Sequence, residues 1–82
     1  MKVEIVYAKP NAVFHEEVEL SEPATVMHAI ARSRLLAAHP EIDWRVNKLG
    51  IYGKLVSGDA ILKENDRIEV YRPLGEGRKR RQ

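Results

Sequence analysis

Three histidines, three serines and one adjacent pair of glutamates are the residues of this chain that could carry acid–base, nucleophilic or metal chemistry. His15, His28 and His39 fall on a predicted strand, a predicted helix and a loop, without the H-x-x-x-H spacing that holds zinc. The chain has no cysteine, which removes thiolate ligands, thiol nucleophiles and disulfides. We therefore expect solvated histidines and no metal site.

The serines and glutamates are no better arranged for catalysis. None of the serines occupies the strand–turn–helix motif that activates a nucleophilic hydroxyl. Glu16 and Glu17 are neighbours on a predicted strand, so their side chains point to opposite faces and cannot act as a pair. No glycine-rich phosphate loop precedes the helix, which is entered through SEPAT. The sequence predicts neither an enzyme nor a bound cofactor.

The chain ends in a glycine-punctuated basic segment, GEGRKRRQ. Ten of the 14 lysine and arginine residues and 11 of the 12 acidic residues precede Gly75, so the first 74 residues carry a net charge of −1. The cations of the segment would suit phosphates or an acidic partner: Arg78, Lys79, Arg80 and Arg81. No aromatic residue lies among them to stack on bases. We expect residues 75–82 to be a disordered tail, and binding of RNA or an acidic partner through it stays an alternative function.

The N-terminal third alternates with a period of two. In Lys2–Ala8 the apolar side chains Val3, Ile5 and Tyr7 share one face, which predicts a strand. Residues 9–12 contain Pro and Asn and predict a turn, and Val13–Leu20 predicts a second strand. An antiparallel hairpin is the expected result.

The next segment changes to the helical period of 3.6. Thr25 is a candidate N-cap, and Pro40 limits the other end, so we predict one helix from Thr25 to Ala38. Its predicted apolar face comprises Val26, Ala29, Ile30, Ser33 and Leu36. The segment that follows is irregular and contains Trp44, which we expect to cap the core.

Three short strands complete the pattern: KLGIYG, Leu55-Val56 and RIEVYR, with Ile61 and Leu62 expected to tuck beneath the sheet. A hairpin, one crossover helix and a returning strand leave few topologies, because crossovers are right-handed. The compact solution is a mixed sheet of four or five strands curled around one helix. We therefore predict an α+β domain over residues 1–74 with the β-grasp, or ubiquitin-like, fold.

Several motifs of the chain resemble those of the RnfH family of small bacterial ubiquitin-like proteins. ATVMHAIARSRLL, HPEID, GIYG and DRIEVYRPL occur in the family's order, and the resemblance extends from Lys2 to Leu74. Together with the lack of a catalytic motif and an N-terminus that alternates too strictly for a signal peptide, the resemblance predicts a non-enzymatic, cytoplasmic protein-interaction module. Two alternative roles follow from the same resemblance, one antitoxin-like and one accessory to a membrane electron-transport complex, but both are associations and not site chemistry.

A carrier role is a third alternative. Sulfur-carrier and conjugated β-grasp proteins end in Gly-Gly, because adenylation needs an accessible terminal carboxylate on a thin chain. Here Glu76 separates Gly75 from Gly77, and RKRRQ follows. The match is poor, so a carrier is the least favoured alternative.

The predicted strand phases leave one face of the sheet free of the helix. It would carry Val6, Gly50, Tyr52 and Tyr71, with Arg72 and Arg45 at its border. An apolar and aromatic patch with a charged rim is typical of a protein-binding surface. We predict that an unidentified partner protein binds there. The longest apolar run is far shorter than the ~20 residues that span a bilayer, so no transmembrane segment is expected.

Overall fold

The structure, a computed structural model, describes residues 1–72. These residues form five strands and two short helices joined by loops. The elements in chain order are β1 Lys2–Lys9, β2 Ala12–Glu19, α1 Val26–Arg32, α2 Leu35–Ala38, β3 Lys48–Ile51, β4 Lys54–Val56 and β5 Arg67–Tyr71. The predicted domain boundary at residue 74 and the basic tail lie outside the described residues.

The strands form one mixed sheet in the order β2-β1-β5-β3-β4. β1 and β5 lie side by side and parallel in the middle, and every other pairing is antiparallel. A parallel pair needs a long crossover, and α1 lies within it on one face of the sheet. The predicted β-grasp arrangement is confirmed.

The core lies between α1 and the inner face of the sheet. Alternate residues of β1 and β5 point inward, as the period of two requires. The buried set includes Val3, Ile5 and Tyr7 from β1, Ile68 and Val70 from β5, and Val26, Ala29 and Ile30 from α1. Because successive side chains alternate, the residues between them on β1 and β5 belong to the opposite, outer face.

The β1–β2 hairpin is regular along its whole length. Pairing runs from Lys2↔Glu19 to Lys9↔Ala12 around a two-residue turn, without a bulge. Glu16 lies half-buried on the inner side and Glu17 is exposed on the outer side, as predicted.

The predicted single helix is wrong at Ser33. Thr25 does cap α1, its hydroxyl accepting a hydrogen bond from the His28 amide at 3.1 Å. The Ser33 backbone is then extended, with ψ of 176°, and its hydroxyl donates to the Ile30 carbonyl and accepts from the Leu35 amide. The break changes the helical phase, so Leu35 is buried and Leu36, predicted to face inward, is exposed.

Two smaller expectations also differ. Leu62 is buried as predicted, but Ile61 is exposed. His39 is not solvated: its ring packs edge-to-face against Tyr7 and Phe14, at centroid distances of 5.1 and 5.8 Å. The loop at His39 folds back over the end of the hairpin, which spacing along the chain does not reveal. Neither helix within residues 1–72 is long and apolar enough to cross a bilayer.

The phase change at Ser33 predicts unequal effects for two adjacent leucines. Leu35→Ala should reduce the free energy of unfolding by about 2–5 kcal/mol, because a fully buried leucine leaves a cavity. Leu36→Ala, its matched control, should cost less than about 1 kcal/mol, because its side chain is 38% exposed. Urea unfolding of both variants measures the difference, and equal losses would contradict the interrupted helix.

Candidate protein-binding surface

The outer face of the sheet brings together three of the predicted site residues. Val6 of β1 and Gly50 of β3 both lie opposite Glu69 of β5, one on each side. Tyr71 is two residues beyond Glu69, so the side chains of Glu69 and Tyr71 share this face. Val6, Gly50 and Tyr71 therefore lie close together, on the side of the sheet away from α1.

Gly50 is covered by Tyr71. A Cβ atom built at Gly50 would overlap the Tyr71 hydroxyl and lie 2.7 Å from the ring carbons Cε2 and Cζ. Glycine is therefore needed at this position by close approach, since any side chain would displace the ring. Gly50 itself is buried. Its part in the surface is to let the hydroxyl end of the tyrosine ring lie against the backbone of β3.

Hydrogen bonds fix Tyr71 at both its side chain and its backbone. Its hydroxyl donates to Glu69 Oε1 at 2.6 Å, and the Gly53 amide donates to the same oxygen at 2.9 Å. The Tyr71 carbonyl accepts from Asn47 Nδ2 at 3.0 Å, and Asn47 is buried. The bond to Glu69, partial burial and the carboxylate charge together raise the pKa of Tyr71 to about 12.

Around the tyrosine lies an apolar area that we call the outer-face patch: Val6, Ala8 and Tyr71, flanked by Val13 and Leu55. Val13 is opposite Ala8 and is 67% exposed, and Leu55 is opposite Gly50 and is 60% exposed. A shallow depression of about 320 Å³ is lined by Val6, Ala8 and Tyr71 together with Glu69 and Val70. Exposed apolar side chains of this kind, grouped on one face, are characteristic of binding surfaces.

Charged groups border the outer-face patch on the side of the N-terminal end of β1. His15 Nε2 lies 3.0 Å from one oxygen of Glu4, and Arg67 Nε lies 3.8 Å from the other. These pairs are largely exposed, so they contribute little to stability. They give the patch a polar edge, as the rims of protein interfaces have.

Tyr52 lies apart from the patch. It occupies the β3–β4 turn with φ of 48°, followed by Gly53 with φ of 83°, as two-residue hairpin turns require. Its hydroxyl donates to the Asn65 carbonyl at 2.8 Å, and the side chain is 63% exposed. Its amide donates to the Arg67 carbonyl, at the end of β5 opposite to Tyr71.

The two arginines and the tryptophan differ in their surroundings. Arg72 is exposed directly after β5. Arg45 binds Asp43, with Nη2 and Oδ2 2.9 Å apart, and hydrogen bonding from Arg45 lowers the pKa of Asp43. Trp44 is half-buried against the core and lines a groove of about 370 Å³ with Met27, and so it caps the core. The predicted tail residues Arg78, Lys79, Arg80 and Arg81 lie outside the described residues.

Sequence reasoning missed Ala8, Val13 and Leu55. Ala8 is in phase with Val6, so strand alternation alone could have identified it. Val13 and Leu55 needed the register, which places them opposite Ala8 and Gly50. Within residues 1–72, the His, Asp and Glu side chains form no group that could hold a metal ion.

Comparison with known proteins gives matches over most of the chain. The family model described as "RnfH family Ubiquitin" matches residues 1–81. Protein RnfH of Cereibacter sphaeroides is 46% identical over 74 residues, covering 90% of this chain and 87% of the relative. Protein RnfH of Haemophilus influenzae is 42% identical over 74 residues, covering 90% and 72%.

Two solved archaeal structures have the same fold. SAMP1 from Haloferax volcanii has a TM-score of 0.69 at 17% identity, covering 94% of this chain and 100% of that one. A ubiquitin-like protein from Caldiarchaeum subterraneum has a TM-score of 0.55 at 19% identity, covering 88% and 95%. At such low identity the likeness concerns the fold alone.

The contact between Tyr71 and Gly50 predicts strong coupling in a double-mutant cycle. Gly50→Ala should cost about 1–3 kcal/mol in the natural chain, because the added methyl group overpacks the ring. In a Tyr71→Ala background the same change should cost less than about 0.5 kcal/mol, because the obstructing ring is gone. Urea unfolding of the four proteins gives both values, and a cost of Gly50→Ala that is the same in the two backgrounds would rule the contact out.

Proposed function

The chain belongs to the RnfH family of ubiquitin-like proteins, and from that premise we propose that it is a non-enzymatic interaction module that binds a partner protein through the outer-face patch. The observation that carries the proposal is the Tyr71 ring, packed against Gly50 and hydrogen-bonded to Glu69 on the side of the sheet away from the helix. Val6 and Tyr71 are the proposed contacts, Gly50 supports the ring, Arg72 stands at the border, and Tyr52 is left out because it lies apart from the patch.

Rigidity is what favours Tyr71 as an anchor for a partner. Binding costs conformational entropy whenever a mobile side chain is immobilised. The phenol of Tyr71 already has its hydrogen-bond partner, and its backbone carbonyl is fixed by Asn47, so little freedom remains to be lost. Large aromatic side chains in such settings are the usual hot spots of interfaces.

The remaining surface supports a partner of ordinary protein character. The outer-face patch is apolar at its centre, and its border carries both signs of charge, as in Glu4, His15 and Arg67. A strongly basic surface, which nucleic acid would require, is missing from this face in the described part of the chain. The antitoxin-like role and the electron-transport accessory role implied by family resemblance would both need docking of this kind. We place the protein in the cytoplasm as part of the same proposal, in keeping with its lack of cysteine.

A charge placed in the centre of the patch tests the proposal. Val6→Lys should abolish recovery of specific co-purifying proteins from the host, because a buried lysine at an interface centre is costly, while the melting temperature changes little. Ile61→Lys is the matched control, since Ile61 is an exposed apolar residue outside the sheet face. Affinity purification with mass spectrometry measures the outcome.

The same experiment separates the patch from the tail. A variant lacking Arg78–Gln82 should keep the partners that Val6→Lys loses. Loss with the truncated chain and retention with Val6→Lys would transfer the function to the tail. Equal recovery by Val6→Lys and Ile61→Lys would refute the outer-face patch as the binding surface.

A further inference from the structure

The two edges of the sheet differ in how they are protected. β4 is one edge and has only three residues, which leaves little backbone for another strand to pair with. β2 is the other edge and has eight residues, with neither a proline nor a bulge. Natural proteins commonly protect long edges by those devices or by covering them. The exposed length of β2 therefore needs an explanation.

Register identifies the backbone groups that β2 leaves free. Met1 and Leu20 exchange both of their backbone hydrogen bonds, at 2.9 and 2.8 Å. Paired residues of an antiparallel ladder alternate between bonded and non-bonded positions, so Val18, Glu16 and Phe14 point their amides and carbonyls towards β1. The residues between them point their backbone amides and carbonyls away from β1, and within residues 1–72 no hydrogen bond engages these groups. The residues concerned are Val13, His15, Glu17 and Glu19.

The charge along this edge is of one sign. β2 contains three glutamates and no lysine or arginine. Lys2 lies 4.0 Å from Glu17, and His15 is paired with Glu4 at 3.0 Å. Glu16 accepts a hydrogen bond from the Arg34 amide at 2.9 Å, which fixes the α1–α2 break beside the inner side of the strand. Within the described chain Glu19 has no ion-pair partner, so the edge keeps an excess of negative charge.

The free backbone groups and the negative charge of β2 together indicate what kind of strand could pair with it. Two copies paired through β2 would bring together two strands that each have three glutamates and no lysine or arginine, and centring the pair on Glu17 would set two carboxylates directly opposite each other, so a basic strand is favoured over a second copy. An added strand with cations at alternate positions would instead place one opposite Glu17 and one opposite Glu19, while its backbone satisfies the outward amides and carbonyls. We propose that the β2 edge binds an extended peptide segment of a partner protein with lysine or arginine at every second position.

This site is separate from the outer-face patch, so the two proposals can fail independently. The strand-addition site uses the outward backbone groups of β2, whereas the centre of the patch consists of side chains of β1 and β5, and Val13 and His15 of β2 lie only at its margin. Tyr71→Ala, which changes the patch on a strand that does not neighbour β2, should therefore leave peptide binding at the edge unchanged.

Titration of the isotope-labelled full chain with a short peptide that alternates lysine and threonine tests the proposal. The amide resonances of Val13, His15, Glu17 and Glu19 should shift and gain protection from hydrogen exchange, because they become hydrogen-bonded. A peptide alternating glutamate and threonine is the matched control and should not bind. Shifts centred on Val6 and Tyr71, or equal binding of the two peptides, would overturn the proposal.

Two substitutions separate charge from strand pairing. The double variant Glu17→Lys with Glu19→Lys should weaken the basic peptide about tenfold or more, since two favourable cross-strand pairs become repulsive. His15→Pro keeps every glutamate and removes one outward amide, a change that an edge strand tolerates. It should abolish binding, whereas His15→Thr should not.

Binding of the basic peptide to His15→Pro as tight as to His15→Thr would reduce the contact to loose electrostatics and refute strand addition. If His15→Pro does not fold, hydrogen-exchange protection of the outward amides in the natural chain decides the matter. If the basic peptide saturates the natural chain without protecting these amides from hydrogen exchange, the proposal is refuted as well.

Discussion

The packing of the Tyr71 ring on Gly50 is the contact on which the outer half of the molecule depends. It joins β5 to β3 without a Cβ between ring and backbone, and the phenol then reaches Glu69. Glu69 also accepts the Gly53 amide, so the same carboxylate holds the β3–β4 turn. One tyrosine, together with Glu69, thus links β5, its neighbour β3 and the β3–β4 turn through short contacts.

The surfaces that remain free follow from the order of the strands and the position of the helix. The outer face keeps an apolar centre bordered by paired charges, and the helix covers the opposite face. The sheet then has two open edges, of which β4 is too short to recruit a strand and β2 is long and acidic. We propose that this small β-grasp domain contacts other proteins in two separate ways: through side chains of the face and through the backbone of the edge.

Much of this architecture was predictable, because alternation and periodicity report burial directly. Val3, Ile5 and Tyr7 point inward as their spacing indicated, and the order of elements restricted the topology. The prediction of one continuous helix was wrong because the Ser33 hydroxyl donates a hydrogen bond to the Ile30 carbonyl and α1 ends there. The spacing of apolar residues does not report such a local side-chain bond. Sequence placed Gly50 on the outer face, but only coordinates show that the ring of Tyr71 fills the space above it.

The most direct measurement of the central contact is a pH titration of the Tyr71 ring by NMR, in the natural chain and in Glu69→Gln. The folded-state pKa should be about 12, raised above the ordinary value of 10.0. The contribution of the Tyr71–Glu69 bond to stability is therefore complete below about pH 10 and is lost as the pH rises towards 12. Glu69→Gln should return the pKa towards 10. An ordinary pKa in the natural chain, unchanged by Glu69→Gln, would show that the Tyr71 phenol is not hydrogen-bonded to Glu69 and would contradict this account.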